Sequence, residues 1–343
     1  MTSEVVLLFG GPTRERLVSV ASAQNVASLL EGPRCCFWAA EGAVFEVPRD
    51  ELLGHTRPFE QEFAPRRSAR WRELKFALDE FAADGPTLFL ALHGGIAEDG
   101  TLQGWLEERG IPFTGSGSRA SREAFDKTRA REILSAQGAR VAEGRVVRGT
   151  DVPRARVHLF DLMDRHRRLV LKPVADGSSM GLQFVNDPSE IEPALGRLKE
   201  EAQPYLAEAF IHGTELTVGV IDHDDGLRAL PCSEIRVQAG ASFGYTAKYL
   251  GQGAREITPA EVAPEVAAQA QELGLRAHRA LGCFGYSRTD LIVAKDGLVY
   301  LETNTLPGLT RASFIPQQLE AAEIPMRSFL ARQLALARRR ARA

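Results

Sequence analysis

A strand–glycine–helix pattern, which occurs twice near the N terminus, constrains the fold more than any other feature of the sequence. The apolar run "EVVLLFGG" (4–11) ends in two glycines, and the apolar residues of "RLVSVASAQNVASLL" (16–30) then recur at helical spacing. The run "PTLFLALHGG" repeats the pattern, with a strand predicted over Thr87–Leu92 and a helix from about Gly100 to Arg109. "GIPFTGSGS" (110–118) predicts a third short strand. Because strands that alternate with helices form helix-covered parallel sheets, this part is predicted to be an α/β domain.

The rest of the chain mixes strands and helices in a less regular order. A total of 343 residues suggests two or three domains. One helix is predicted from about Ser121 to Gln137, with Gly138 as its stop. The later predicted elements are strands over Leu216–Ile221, Arg288–Ala294 and Leu298–Thr303 and a helix from about Pro264 to Leu281.

The composition argues against several functional classes. The formal net charge of −3 provides no overall field that would attract nucleic acid or a membrane surface. The N-terminal "MTSEVVLLFGG" has no basic region, and no stretch reaches membrane-spanning length, so we expect neither a signal peptide nor a membrane span. The cysteines have no C-x-x-C spacing, which is typical of reduced thiols in a cytoplasm; they are Cys35, Cys36, Cys232 and Cys283. We expect no structural zinc site, since no HExxH or Cys/His cluster is present.

The C-terminal segment from Met326 to Ala343 is rich in arginine. Its basic residues are Arg327, Arg332, Arg338, Arg339, Arg340 and Arg342. A solvated helix that frays at its end explains them at least as well as a binding arm does.

The segment "RTDLIVAKDGLVYLETN" (288–304) predicts a β-hairpin with polar residues on one face. We expect a three-residue loop, Lys295 to Gly297, which pairs Ala294 with Leu298. That register places Asp290 opposite Glu302 and Arg288 opposite Asn304 on one face. The other face is then expected to contain Leu291, Val293, Val299 and Leu301. A two-residue loop would break this register.

Two acids and an amide beside an arginine favour a cation site for a polyphosphate. Carboxylate and amide oxygens are hard ligands of the kind that Mg²⁺ prefers. Like charges in one cluster are unfavourable without a partner, which weakens the alternative of a polar strand end entering a surface loop.

Two glycine-rich loops could contact phosphate groups. In "LKPVADGSSMG" (171–181), Lys172 on a strand precedes a Gly-Ser loop whose backbone N–H groups could approach phosphate oxygens. In "GSGSRA" (115–120) the spacing imitates a dinucleotide fingerprint, but no strand-end acid follows about 20 residues later.

Several segments together resemble the D-alanine–D-alanine ligases of the ATP-grasp superfamily, over essentially the full length. The matching segments, in the family's order, are "GGPTRERLVS", "HGGIAEDGTLQGWLEERGIPFTGSGSRASREAFDKTRARE", "LKPVADGSSMG", "AEAFIHGTELTVGV", "YTAKYL", "GYSRTDL" and "LETNTLPGLT". The long block from HGxxxEDG to DK is highly specific.

The resemblance implies a three-domain α/β architecture, with α+β structure in the ATP-grasp part. The expected parts are an N-terminal parallel-sheet domain on the substrate side (1–118), a central lid domain (119–207) and a C-terminal catalytic domain (208–343). The implied reaction uses ATP and two Mg²⁺ (or Mn²⁺) ions to join two D-alanines through an acyl phosphate, for peptidoglycan synthesis. The implied protein is a cytoplasmic homodimer that binds small molecules and neither nucleic acid nor membrane.

The resemblance also implies a role for individual residues. Lys127 and Lys172 are expected at the α/β-phosphates, and Glu208, Phe210, Ile211 and Glu215 around adenosine, with Glu215 at the ribose. Asp290, Glu302 and Asn304 are expected to bind metal, and Arg288 and the Gly308 backbone to stabilise the tetrahedral intermediate. Glu15 is expected to bind the first ammonium group within a network that includes Ser178 and Tyr249. Lys248 and Ser313 are expected at the transferred phosphoryl group and the second carboxylate. His93 matches a family position near the first substrate, but a structural role is the simpler expectation.

Four positions depart from the family's frequent residues: Leu17, Ala97, Phe243 and Leu306. None of them removes an expected ligand. The loop from Phe243 to Gly253 is expected to act as a lid.

Other functions remain open at this point. Within the family, the alternative is a D-alanyl-D-lactate or D-alanyl-D-serine ligase. Tyr249 favours the dipeptide, because ester-forming members are associated with Phe or a His-bearing loop there. Outside the family, a nicotinamide-dependent oxidoreductase would depend on "GSGSRA" alone. A nucleotide-binding regulator without turnover is disfavoured by the intact set of lysines, acids and Arg288.

Overall fold

The N-terminal part is built on a sheet of three parallel strands and one antiparallel edge strand. In the computed structural model, residues 4–177, 181–201, 203–223, 225–237 and 254–341 are described. The elements here are β1 (Val5–Gly10), α1 (Arg16–Leu29), β2 (Arg34–Trp38), β3 (Val44–Val47), α2 (Arg49–Leu53), α3 (Leu74–Asp84), β4 (Thr87–Leu92) and α4 (Thr101–Glu108). The order is β3-β2-β1-β4, and both neighbours of β1 run parallel to it. The predicted parallel sheet is confirmed.

The predicted third strand over residues 110–118 is wrong. Within this segment only Phe113 pairs, in an isolated parallel bridge with Leu88. Pro112 has no N–H to donate to a ladder, and Gly115 turns the chain with φ of 85°.

The middle of the chain forms a second, antiparallel sheet with helices. Its elements are α5 (Ser118–Phe125), α6 (Lys127–Ala136), β5 (Gly144–Val147), α7 (Val152–His166), β6 (Leu169–Pro173), β7 (Gln183–Val185), α8 (Ile191–Glu200) and β8 (Tyr205–Ala209). The order is β5-β8-β6-β7. A separate apolar core, which includes Leu159, Leu162 and Leu195, packs α7 and α8 on this sheet.

The predicted helix from Ser121 to Gln137 is in fact two helices, α5 and α6. The Asp126 carboxylate accepts hydrogen bonds from the backbone N–H groups of Thr128 (2.9 Å) and Arg129 (3.1 Å) and so caps a new helix. Lys127 is therefore the first residue of α6. Gly138 follows the helix with φ of 77°, as the predicted stop.

The last part forms a sheet of larger strands that carries the hairpin. Its elements are β9 (Gly213–His223), β10 (Gly226–Ala229), β11 (Ser233–Val237), β12 (Ala254–Ile257), α9 (Pro264–Ala280), β13 (Tyr286–Ala294), β14 (Gly297–Asn304), α10 (Phe314–Ala321) and α11 (Met326–Arg340). The order is β12-β11-β9-β13-β14, with β10 also paired to β9. In the described part of the chain, no helix is long and apolar enough to cross a membrane.

The arginine-rich C-terminal helix is packed against the N-terminal sheet. Phe329 and Leu330 of α11 belong to the same buried cluster as Leu7 and Leu88. The guanidinium of Arg340 donates to the carbonyls of Phe113 and Gly115, both at 2.8 Å, and lies 4.2 Å above the Phe113 ring. The expected solvated, fraying helix is therefore wrong.

The hairpin has the predicted pairing at its polar end but a different loop. Ala294 pairs with Gly297, so the loop has two residues. A β-bulge then makes Leu301 an extra residue, which restores the pairs Asp290–Glu302 and Arg288–Asn304. Before the bulge, the core face of β14 is formed by Leu298 and Tyr300 rather than the predicted Val299 and Leu301.

Candidate active site

Lys127 lies in a cleft where four segments of the chain meet. The cleft is lined by Glu98 in the turn after β4, by the α5–α6 junction, by Asp176 and Gly177 after β6, and by the end of β14. The Lys127 Nζ donates to the carbonyl of Asp176 at 2.6 Å and lies 3.4 Å from Glu302 Oε2. The predicted phosphate-binding lysine and metal-binding carboxylate are thus in direct contact.

Asp290 is held on three sides at the polar end of the hairpin. Arg288 donates through Nε and Nη2 at 2.9 and 2.7 Å, and the Asn304 Nδ2 lies 3.5 Å away. Thr217, directly opposite on β9, donates at 2.5 Å. Thr217 was not predicted, although its position in the alternating pattern of "ELTVGV" is a signal for it. Asp290 is buried with its hydrogen-bonding capacity largely filled, so its geometry is fixed.

The donor set at this end of the hairpin fits a hard cation that is shared with another ligand. Asp290, Glu302 and Asn304 supply carboxylate and amide oxygens. Among the described residues, no group of three His, Cys, Asp or Glu side chains could hold a metal without further donors. Mg²⁺ commonly binds to one or two carboxylates together with phosphate oxygens and water, which is the chemistry this set permits.

The second predicted phosphate-binding lysine belongs to a buried ionic triad. Lys172 Nζ lies 2.5 Å from Glu208 Oε2, and Arg131 Nη1 lies 2.6 Å from Glu208 Oε1. All three side chains are about nine-tenths buried. Arg131 was not predicted, because its partner Glu208 is 77 positions away in the sequence and its own segment has the pattern of an ordinary helix. Each buried charge of the triad is in contact with a charge of opposite sign.

The other residues expected near adenosine lie directly after β8 and on β9. Phe210 and Ile211 directly follow β8 and are half-buried. The Phe210 ring is covered by the guanidinium of Arg168 at 3.8 Å. Glu215 lies on β9 of the next sheet, between Ile235 and Ile292 of the adjacent strands. The predicted adenosine contacts therefore come from two sheets.

The Glu15 carboxylate lies between two close glycines. A Cβ atom on Gly94, which has φ of 72°, or on Gly177 would collide with Glu15 Oε2. Both loops therefore approach Glu15 through backbone alone. Glu15 is buried beside a second acid, Glu98, and burial together with the charge of Glu15 raises the pKa of Glu98 to about 8. Glu98 was not predicted individually, although it belongs to the quoted "EDG" segment.

Gly308 and Ser313 are adjacent in the loop after β14. A Cβ atom on Gly308 would lie 2.7 Å from Ser313 Oγ, and Ser313 Oγ accepts from the Thr310 N–H at 3.2 Å. His93 Nδ1 lies 2.8 Å from the carbonyl oxygen of Leu306 in the same loop. His93 is fully buried, and burial lowers its pKa to about 4, so it is neutral near pH 7.

Three predicted site residues, Ser178, Lys248 and Tyr249, lie outside the described residues, as does the expected lid from Phe243 to Gly253. Two of the departures from the family pattern have structural explanations. Leu306 is buried against the N-terminal core, and Ala97 is buried in a short 3₁₀ helix without positive φ. Leu17 is half-buried on α1, and nothing in the structure explains it further.

The segment "GSGSRA" does not present a phosphate site at the N terminus of α5. Glu107 Oε1 accepts the Ser118 N–H at 2.8 Å, and a Cβ on Gly117 would lie 2.6 Å from the same oxygen. Because a carboxylate occupies the position that a pyrophosphate would need, the dinucleotide interpretation loses its only support.

Comparison with known families covers both ends of the chain. Residues 4–116 match the family described as "D-ala D-ala ligase N-terminus", and residues 154–334 match "D-ala D-ala ligase C-terminus".

Similar proteins of known name extend over nearly the whole chain. A D-alanine–D-alanine ligase of Syntrophobacter fumaroxidans is 38% identical over 335 residues, which is 97% of each chain. One of Leptospira interrogans serovar copenhageni is 38% identical over 345 residues, 94% of this chain and 95% of that one. Among solved structures, the VanG D-Ala:D-Ser ligase of Enterococcus faecalis has a TM-score of 0.80 at 25% identity and covers 98% of this chain and 100% of its own. The D-alanine–D-alanine ligase of Bacillus anthracis complexed with ATP has a TM-score of 0.73 at 26% identity, with 100% and 99% covered.

Proposed function

The chain belongs to the D-alanine–D-alanine ligase family, and we propose that it joins two D-alanines into D-alanyl-D-alanine while ATP is converted to ADP and phosphate. One observation carries this assignment to the site: Lys127 meets Glu302 in the cleft beside Asp290 and Arg288. The site thus brings together a lysine that can bind phosphate oxygens, acids that can bind a metal and an arginine that can stabilise a developing oxyanion. These are the groups that phosphorylation of a carboxylate and attack by an amine require.

The predicted site residues are assigned the following roles. Lys127 and Lys172 bind the phosphates, and Glu208, Phe210, Ile211 and Glu215 form the adenosine site. Glu15 binds the ammonium group of the first D-alanine, and Arg288 and the Gly308 N–H stabilise the tetrahedral intermediate. Ser313 and Lys248 bind the second substrate, and Ser178 and Tyr249 complete the network of Glu15.

Asp290, Glu302 and Asn304 are the residues that would hold Mg²⁺ or Mn²⁺, two ions by analogy with the family. Bound metal supplies charge neutralisation for the phosphoryl group that is transferred. Each phosphate-binding lysine contacts an acid of its own site: Lys127 contacts Glu302, and Lys172 contacts Glu208. Binding of phosphate and metal therefore exchanges ion-pair partners rather than burying new unpaired charges.

The three sheets support a division into an N-terminal domain (1–118), a central domain (119–207) and a C-terminal domain (208–343), with ATP between the last two. The homodimer and the cytoplasmic location remain predictions. Light scattering of the purified protein tests the homodimer.

The decisive experiment measures phosphate release from ATP with and without D-alanine. We expect release that depends on D-alanine and a dipeptide product detected by mass spectrometry. ATP binding without such release would indicate a regulator. The absence of D-alanine-dependent phosphate release would overturn the proposal.

A D-alanyl-D-serine product is the alternative with a specific observation behind it, the similarity to the VanG D-Ala:D-Ser ligase. Competition among D-alanine, D-serine and D-lactate near neutral pH decides between them. We expect D-alanyl-D-alanine to predominate, and we expect Tyr249→Phe to shift the products toward the ester. Predominant ester from the unmodified enzyme would show that Tyr249 does not set the preference.

A further inference from the structure

We propose that four buried or half-buried side chains of the N-terminal part act as positioning residues for the Gly308 N–H. They fix the backbone of the loop Leu306–Leu309, and we call them the loop clamp: Ser22, Asn25, His93 and Glu98. The proposal rests on the proposed function, because that function places the Gly308 N–H at the tetrahedral intermediate.

The clamp satisfies every backbone polar group of the two residues that flank Pro307 and Gly308. The N–H of Leu306 donates to Glu98 Oε1 at 3.3 Å, and its carbonyl oxygen lies 2.8 Å from His93 Nδ1. The N–H of Leu309 donates to Ser22 Oγ at 3.2 Å, and its carbonyl accepts from Asn25 Nδ2 at 2.8 Å. The loop is therefore held at both ends by side chains from α1 and from the turn after β4.

The hydrogen bonds of the clamp have one consistent direction. The Leu306 carbonyl can only accept, so neutral His93 is protonated on Nδ1 and donates to it. His93 Nε2 then accepts from Ser22 Oγ, 2.9 Å away, while Ser22 Oγ accepts from the Leu309 N–H. Burial, which lowers the pKa of His93 to about 4, keeps this neutral tautomer near pH 7. His93 thus joins the two halves of the clamp.

Leu306 and Leu309 are buried in the N-terminal core, but the two residues between them supply little support of their own. Pro307 has no N–H, and Gly308 has no side chain to pack. A hydrogen-bond donor stabilises a transition state only when it is fixed before the reaction. A displacement of about 1 Å can reduce the rate about a hundredfold. The clamp supplies this fixed position from α1 and from the turn after β4.

The test uses Ser22→Ala and Asn25→Leu, with Gln24→Met as the matched control. Gln24 is on the same helix and donates to the carbonyls of Leu52 (2.9 Å) and His55 (2.6 Å), away from the loop. We expect kcat to fall about ten- to a hundredfold in both clamp variants, with little change in the KM for ATP. Affinity for a phosphinate dipeptide, which imitates the tetrahedral intermediate, should fall by the same factor. The control should change neither.

A purely structural role predicts a different result. It would lower the melting temperature of all three variants but leave kcat and the affinity for the phosphinate intact. A kcat within about twofold of the unmodified enzyme in both clamp variants would overturn the proposal.

Amide hydrogen exchange tests the clamp independently of the proposed function. The amides of Leu306 and Leu309 should be protected in the unmodified protein, and exchange should increase in both clamp variants but not in the control. Unchanged exchange would overturn the clamp itself. If the unmodified protein failed to release phosphate with D-alanine, the proposed function would fail, while the exchange result would still decide whether the clamp exists.

Discussion

The two ends of the active site are built from different kinds of interaction. At the ATP end, the groups are ions in pairs: Lys127 with Glu302, and Lys172 and Arg131 with Glu208. At the Gly308 end, the loop clamp consists of groups that are neutral near pH 7, since the pKa of His93 is about 4 and that of Glu98 about 8. Ions that pair with each other can exchange a partner for phosphate or metal. The neutral groups are hydrogen-bonded to backbone atoms and do not exchange these partners for phosphate or metal, so they can remain fixed through the reaction.

The difference also sets the expected size of mutational effects. Removal of one partner from a buried ion pair costs about 3–5 kcal/mol, because the other charge stays buried. Loss of one neutral hydrogen bond costs about 1 kcal/mol. Substitutions at the ATP end should therefore impair both stability and binding, whereas those at the Gly308 end should act mainly on the rate.

The largest expected effect is that of Glu302→Gln. The fold should remain intact by circular dichroism, while ATP-dependent turnover falls by at least about a thousandfold, because a carboxylate that would bind metal is lost. Phosphate release at saturating Mg²⁺ measures it. Glu192→Gln, which removes an exposed carboxylate on α8, is the control. Near-normal turnover of the Glu302 variant would refute the metal-binding face of the hairpin.

A smaller effect is expected from Arg131→Met. Glu208 would keep Lys172 but lose one charged hydrogen bond, so the free energy of unfolding should fall by about 2 kcal/mol and the KM for ATP should rise about tenfold. Urea denaturation and steady-state kinetics measure the two changes. Arg131→Lys should restore much of both.

Arg129→Met provides the control for that experiment, since Arg129 is on the same helix but exposed. Equal effects at positions 129 and 131 would show that the ionic triad is not what supports the ATP end.

The last prediction concerns the pH dependence of stability in Glu98→Gln. In the unfolded chain Glu98 loses its proton above about 4.5, whereas in the fold it keeps the proton up to about pH 8. The unmodified protein therefore binds more protons when folded, and its stability should fall relative to the variant as pH rises through this window. The slope is at most about 1.4 kcal/mol per pH unit.

Urea denaturation of both proteins across the window measures this difference. Parallel stability curves would mean that Glu98 is charged in the fold. The comparison between a charged ATP end and a neutral clamp would then fail.

The sequence predicted elements best where the local signal was complete. The strand Thr87–Leu92 and the helix at residue 264 have strong periodicity and clear ends. The break at Asp126 was missed because helical periodicity continues through it. The packing of α11 was missed because arginines indicate a solvent-exposed helix, although some of them make buried contacts, such as that of Arg340 with Phe113.

The same limit applies to the site. The lysines, the acids and Arg288 lie in recognisable segments, so they could be named from the sequence. Ser22 and Asn25 could not, since their partner Leu309 is 287 and 284 positions away and each looks like an ordinary polar residue on a helix. Contacts of this kind depend on how the domains dock, for which the local pattern carries no signal.

The bulge at Leu301 has a consequence for aligning this chain with its relatives. A two-residue loop followed by a bulge and a three-residue loop without one bring Asp290 opposite Glu302 equally well. A relative whose hairpin is one residue shorter can therefore keep all of its ligand-bearing pairs by lacking the residue that corresponds to Leu301. The gap in such an alignment therefore belongs inside β14 and not in the turn. A gap placed in the turn would assign the three residues that correspond to 298–300 to the wrong face of the hairpin.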